Sequence, residues 1–366
     1  MNIKIVTIYD YIPNYGNRLQ NYAVQYLLEE MGMKTTTISC ENRVISGQTR
    51  VKYYLQKISG FHLPGDKNYW RFCKKESSFY KFNKKYISTK NISSVSDIGV
   101  SDYFIVGSDQ VWNPTWYENN NIKKELYLLT FAKPEQKVCL SPSFGLDELP
   151  KEWKSWFKEQ LSTFSKISVR EDAGAKIVKD LIDIDATVLI DPTLMLKPDE
   201  WLKIAKRPKK IDFTKPYILT YFLGGRSERV NKDLIAYSKQ IGAETYNLLD
   251  YNQPDVFVSG PSEFVYLLAN AKLVLTDSFH ACVFSFLFHK PFLVYEREGN
   301  EKKMFSRMDT LLTKFDLKRK FVDSGIDNDL LEANYEKGFK QLEIERNKVS
   351  NFLKESMGLE KTHKQK

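Results

Sequence analysis

At 366 residues the chain is long enough for two domains, and 55 Lys and Arg against 46 Asp and Glu give a formal charge of +9. That balance favours anionic partners: phosphorylated substrates, acidic lipids and, less specifically, nucleic acid. Four dispersed cysteines without a CxxC pair and four histidines at no ligand spacing argue against a structural zinc site and for reduced core thiols.

The N-terminus lacks the apolar core of a signal peptide, and no run nears the roughly 18 apolar residues of a membrane span. A soluble, cytoplasmic protein is expected, with peripheral contact at the inner face of an anionic membrane left open. Ile3 to Ile8 reads as a first strand, Pro13 to Gly16 as a turn, and Asn17 to Met31 as a helix with apolar residues at helical spacing. A single Gly16 is no dinucleotide fingerprint. Asn17, Gln20 and Asn21 cluster at the helix start, where amides that both donate and accept suit hydroxyl-rich ligands; capping by Asn17 is the plainer reading.

After a strand at Thr35 to Ser39, residues 43–90 interleave basic and aromatic side chains and nearly lack acids. A solvated helical insertion, a membrane-surface patch and a polyanion surface all fit; nucleic acid fits least, because no nucleic-acid motif accompanies the patch. Tyr103 to Val106 then leads into Gly107-Ser108-Asp109-Gln110, with Trp112 readable as a sugar platform or as loop core. Val138 to Leu140, Ile167 to Val169 (leading to Arg170-Glu171) and Val188 to Ile190 (leading to Asp191-Pro192-Thr193) repeat the pattern of a strand ending in small or polar residues. Such alternation with helices predicts a parallel α/β sheet.

A Lys/Pro-rich connector at 196–216 is the expected boundary, followed by a strand to Phe222, Gly224-Gly225-Arg226, and a further strand and two helices. The expected division is 1–196, a Rossmann-like domain on the acceptor side; 197–316, a second on the donor side; a helical tail, 317–357; and a disordered end, 358–366. The second domain centres on Leu273 to Arg297. There a buried strand ends at Asp277-Ser278, and a helix from about His280 to His289, apolar all round, should be packed on every side. Asp277, Ser278 and His280 thus sit where open parallel sheets bind ligands, although Ser278 as a cap and Asp277 as a dipole partner would explain two of them.

Two such domains facing a cleft suggest the GT-B type of architecture. Gly16-Asn17-Arg18-Leu19-Gln20-Asn21-Tyr22, Val106-Gly107-Ser108-Asp109-Gln110-Val111-Trp112, Ser168-Val169-Arg170-Glu171, Asp191-Pro192-Thr193 and Thr276-Asp277-Ser278-Phe279-His280 occur in this order. The ordered set resembles the polysaccharide pyruvyl transferase family and covers the chain to about Leu312. The resemblance implies transfer of pyruvate as a ketal from phosphoenolpyruvate, a co-substrate rather than a cofactor, onto two hydroxyls of a cell-surface glycan or lipid-linked precursor. Family members read Arg-Leu-His where this chain has Ser278-Phe279-His280, so another cation must meet the donor's charge.

That chemistry needs a proton donor, a base and cations, and no metal. His280 is the expected acid, with Asp109 and Asp277 as base or orienting group. Arg226, beside Gly225, is the preferred donor ligand, with Ser278, Arg297 and Arg307 as further candidates. The acceptor side is assigned to Asn17, Gln20, Asn21, Ser108, Trp112, Arg170 and Glu171. A nucleotide-sugar glycosyltransferase and a non-enzymatic glycan- or lipid-surface module are the rival readings.

Overall fold

The computed structural model describes residues 1–9, 12–40, 66–116, 121–297, 306–323 and 331–359. Two parallel sheets lie on either side of the connector at 196–216. The first has strands β1 (Asn2–Val6), β2 (Lys34–Ser39), β3 (Thr89–Asn91), β4 (Tyr103–Gly107) and β5 (Lys137–Leu140), in the order β3-β2-β1-β4-β5. A short parallel pair, β6 (Ser168–Val169) and β7 (Thr187–Val188), follows. The second sheet has β8 (Tyr217–Tyr221), β9 (Glu244–Asn247), β10 (Leu273–Thr276) and β11 (Phe292–Val294), in the order β11-β10-β8-β9. Every pairing is parallel, as expected for strands such as β5, β8 and β10, which are buried along their whole length.

In each sheet the strand order reverses once, between β1 and β4 and again between β8 and β10. Those reversals open crevices at the carboxyl ends of the strands, where ligands of such sheets bind. The helix Phe279–Leu287 fills the space between the sheets: His280 to Leu287 are all buried, with Phe284 against Trp201 and Phe264, and Phe286 against Phe315 and Phe339. It ends two residues before the expected His289, which takes a left-handed φ of 52° and stacks on Phe339.

The halves are joined by apolar contacts. Tyr15, first residue of the helix Tyr15–Glu30, stacks on Phe264 at 4.4 Å and donates to the Ser259 carbonyl at 2.8 Å. Beside it lies Lys75 of the helix Asp66–Tyr86, buried over the Tyr15 and Phe257 rings and bonded to the Leu248 carbonyl at 3.1 Å. Burial pulls this amine down to about 7. The basic and aromatic stretch is therefore only partly a surface: Lys75, Phe79 and Phe82 are interior, while Tyr80, Lys81, Lys84 and Lys85 are exposed. The rest of that stretch, 43–65, lies outside the described residues.

The expected tail helix starts at Glu336 rather than near Asp329 and runs to Ser356, with Leu342, Val349 and Leu353 buried. It bridges the halves. Phe339 meets Phe286 near one end, Arg346 at the middle donates to the carbonyls of Leu194 and Leu196, and just past the other end the Met357 carbonyl accepts from the Tyr103 hydroxyl.

Candidate active site

Loops from both sheets converge at one place. Asn14 caps the first helix by accepting the Asn17 N–H, so the helix begins at Tyr15, two residues before the sequence suggests. Asn17 is thereby relieved of capping, and its amide donates to Asp109. Asp109 follows β4 in a left-handed conformation with φ of 64°, unusual for a residue with a Cβ and a mark of functional loops. Its other oxygen accepts the Gln110 N–H and lies 3.6 Å from both Arg170 and Arg307.

Beyond β6 and β7 lies a buried ion pair. Arg170 donates to Asp191 at 2.5 Å, the Ser108 hydroxyl donates to the same oxygen at 2.8 Å, and Thr193 satisfies the other oxygen through its N–H and hydroxyl. Glu171, next along, accepts from the Ser143 hydroxyl and the N–H groups of Phe144 and Gly145 through one oxygen, while its other oxygen is buried without a hydrogen-bond partner.

His280 enters from the second sheet. It is 8% exposed, with Nε2 3.8 Å from Asp191, and Phe279 beside it lies over the Arg170 guanidinium at 5.0 Å. The opposite edge of the imidazole rests on Gly16, where a Cβ would overlap the ring. Gly16 is therefore a close-approach glycine joining the first helix to the second half. Gly16→Ala is expected to destabilise the protein by about 1–3 kcal/mol, as overpacking does, and to lower activity in parallel. Urea unfolding and a turnover assay check it; unchanged stability would remove Gly16 from the site.

Electrostatics single out the same cluster. Burial lowers the His280 pKa, Asp191 and Asp109 raise it, and Arg170 and Arg307 lower it again, for a net fall. Burial also lowers Arg307, as do Arg170 and Arg297, down to about 10 even though Asp109 and Glu171 oppose them. Three guanidiniums thus share one neighbourhood. His280 Nε2, Arg170 Nε and Nη2, and Arg307 Nε are buried there without a hydrogen-bond partner. Buried polar atoms are rarely left so, and the guanidinium donors suit an anion, while one carboxylate oxygen, Glu171 Oε2, is also buried near them without a hydrogen-bond partner.

A family model described as polysaccharide pyruvyl transferase matches residues 14–299. The chain belongs to the polysaccharide pyruvyl transferase family. Membership makes it a transferase. No curated protein matches the chain. Among solved structures it is similar to a glycosyltransferase from Rickettsia africae, at 10% identity over 97% of this chain and 99% of that one, with a TM-score of 0.44. A UDP-N-acetylglucosamine 2-epimerase from Listeria monocytogenes gives 12% identity, 97% and 96% coverage, and a TM-score of 0.45. Likenesses this distant say nothing of the pyruvyl transferase's chemistry.

Within this family member, several residues lie elsewhere than the sequence suggests. Trp112 is no sugar platform: it is fully buried against Phe144 and Phe164, with its indole N–H on the Tyr127 carbonyl. Gln20 and Asn21 face inward to Thr7 and Thr37, and Ser108 is committed to Asp191, so none of the three is presented to an acceptor. Asp277 neither caps nor complements the helix. Its carboxylate takes the N–H groups of Leu223 and Gly224 at 2.7 and 2.8 Å and pairs with Arg297 at 3.1 Å.

Ser278 is buried at the start of the helix, and its side chain makes no capping bond. Arg297 reaches the backbone beside Ser278 by donating to the Asp277 carbonyl at 3.5 Å, bringing a guanidinium to this loop. Arg226 follows Gly225, whose φ is 86°, on an exposed turn outside the buried cluster. Arg170, read as an acceptor ligand, belongs instead with the cations. Sequence reasoning missed Gly16 and Asp191 as site residues, though both stood in the motifs as a turn glycine and a strand-end acid. Among the described residues, no group of three His, Cys, Asp or Glu side chains fits a metal ion, and no helix is long and apolar enough to cross a membrane.

Proposed function

We propose that the protein transfers pyruvate from phosphoenolpyruvate to two hydroxyls of a sugar in a polysaccharide or its lipid-linked precursor, forming a cyclic ketal and releasing phosphate. The observation that carries this reading is the buried group of Arg170, Arg307 and His280 nitrogens without hydrogen-bond partners, gathered after β6, on the helix Ser306–Lys314 and after β10. A small, highly charged donor suits them: guanidinium forks match carboxylate and phosphate oxygens. His280 gives a proton to C3 of the enol, which becomes a methyl group, and C2 becomes electrophilic. One hydroxyl adds to C2 and phosphate leaves; the second hydroxyl then closes the ring and returns its proton to His280, so that the net proton goes out with the phosphate. Asp109 is the base that takes a hydroxyl proton in this scheme. Burial lowers the imidazole's pKa in the free enzyme, and the arriving anion favours its protonated form.

The second sheet bears on the nucleotide-sugar alternative. The backbone N–H groups after β8, well placed for a phosphate at that sheet's crevice, are already filled by the Asp277 carboxylate. The exposed Tyr80, Lys81, Lys84 and Lys85 support peripheral contact with an anionic membrane, where a lipid-linked acceptor would lie.

Phosphoenolpyruvate at a hundredfold excess over its dissociation constant is expected to raise apparent stability by about 2.7 kcal/mol, read as a rise in melting temperature. Arg307→Ala should abolish the rise, and Arg226→Ala should leave most of it. Stabilisation by a nucleotide-sugar, with none by phosphoenolpyruvate, would overturn the proposal in favour of a glycosyltransferase.

A further inference from the structure

Asp191 lies before the connector at 196–216 and His280 after it. The Asp191 carboxylate is fully buried and held by four bonds, two from Thr193, one from Ser108 and one from Arg170. It therefore has one orientation, with an oxygen 3.8 Å from an imidazole Nε2 that bonds to nothing. The ring cannot withdraw from it, because Gly16 backs its other edge. A shift of under an ångström would turn the 3.8 Å contact into a charge-assisted hydrogen bond.

We propose that Asp191 is a positioning residue that aims the His280 ring across the interface and holds the proton on it until transfer. The catalytic consequence rests on the pyruvyl transfer reading; the physical coupling does not. Every charged group facing His280 enters the balance. Asp109, after β4, also favours imidazolium, second to Asp191, and lies 3.6 Å from both Arg170 and Arg307. Arg170, after β6, and Arg307, on the helix Ser306–Lys314, oppose imidazolium, and the first helix offers only Gly16 and the Asn17 amide. Asp191 is the counter-charge that makes protonation of a buried imidazole feasible beside two guanidiniums.

Four histidines make the test tractable. In ¹⁵N-histidine spectra of the whole protein without substrate, the His280 signals are assigned by their loss in His280→Gln. Asp191→Asn should lower the His280 titration midpoint by about one unit or more, as loss of an opposite charge within ~4–6 Å does. It should also change the proton distribution between the ring nitrogens. In turnover measurements, the alkaline limb of kcat, where the acid loses its proton, should move to lower pH. Should Asp191→Asn not fold, Thr193→Val keeps the charge and removes one of the bonds that aim it; the same shift, but smaller, is expected. An unmoved His280 titration in the variant that folds would overturn the proposal. Because the spectra need no donor, failure of phosphoenolpyruvate to bind would leave this result standing and sink only the functional reading.

Discussion

Replacing His280 with glutamine should lower kcat for pyruvyl transfer by about 10²- to 10⁴-fold, the range spanned by a positioned proton donor or acceptor. Glutamine has nearly the length of the imidazole and no proton to give at neutral pH. KM for phosphoenolpyruvate should change far less than kcat, since Arg170 and Arg307 supply the charge that meets the donor. Stability should hold or rise slightly. The imidazole is buried beside two guanidiniums, with Nε2 lacking a hydrogen-bond partner, and the fold gains little from it. Phosphate release measured against donor concentration checks the first two statements, and urea unfolding the third. A kcat within tenfold of the parent protein would show that some other group protonates C3.

Arg170→Met should cost about 3–5 kcal/mol of folding stability, because it strands a buried carboxylate. Asp191 is fully enclosed, and burial alone would push its carboxyl up. Arg170 above all, with His280 and two Thr193 bonds, outweighs that and holds it well below the usual carboxylate range. The sign of the pH dependence follows. A carboxyl depressed in the folded state stabilises fully above its unfolded pKa of about 3.9, and that contribution fades as pH falls through the folded value. Without Arg170 the carboxyl rises and takes up a proton more readily, so the deficit against the parent protein should be largest near neutral pH and shrink on acidification. Adding Asp191→Leu to Arg170→Met should recover most of the loss, since an apolar pair of similar volume replaces a desolvated ion pair at little cost. Urea denaturation at several pH values measures each of these. A single variant as stable as the parent would mean that water reaches Asp191 and that the pair is not the closed unit described here.

Much of the fold was legible because it depends on short-range patterns. Apolar runs ending in small or polar residues marked β1, β4, β5, β8 and β10 to within a residue or two, and the all-apolar helix after β10 is packed on every side. The helix after β1 was misread at its start because Asn14 caps it instead of Asn17, a choice between two asparagines that helical periodicity does not distinguish. Trp112 shows the same limit from another side. A tryptophan in a strand-end loop reads equally as platform or core, and only the Phe144 and Phe164 rings around it decide.

By itself the sequence determined the alternation of strands and helices, the family through its ordered motifs, and the placing of His280, Asp109, Arg170 and Asp191 at carboxyl ends of strands. These are properties of a residue and its near neighbours. Only the tertiary structure decided which strand ends meet. It set Gly16 under the His280 ring, turned Arg170 from an acceptor ligand into the partner of Asp191, spent Asp277 on the backbone of Leu223 and Gly224, and left Arg226 outside the cluster. The reason is that sheet order and the packing of one sheet against the other set those distances. Side-chain periodicity reports which face of an element is buried, and carries no record of what that face is buried against.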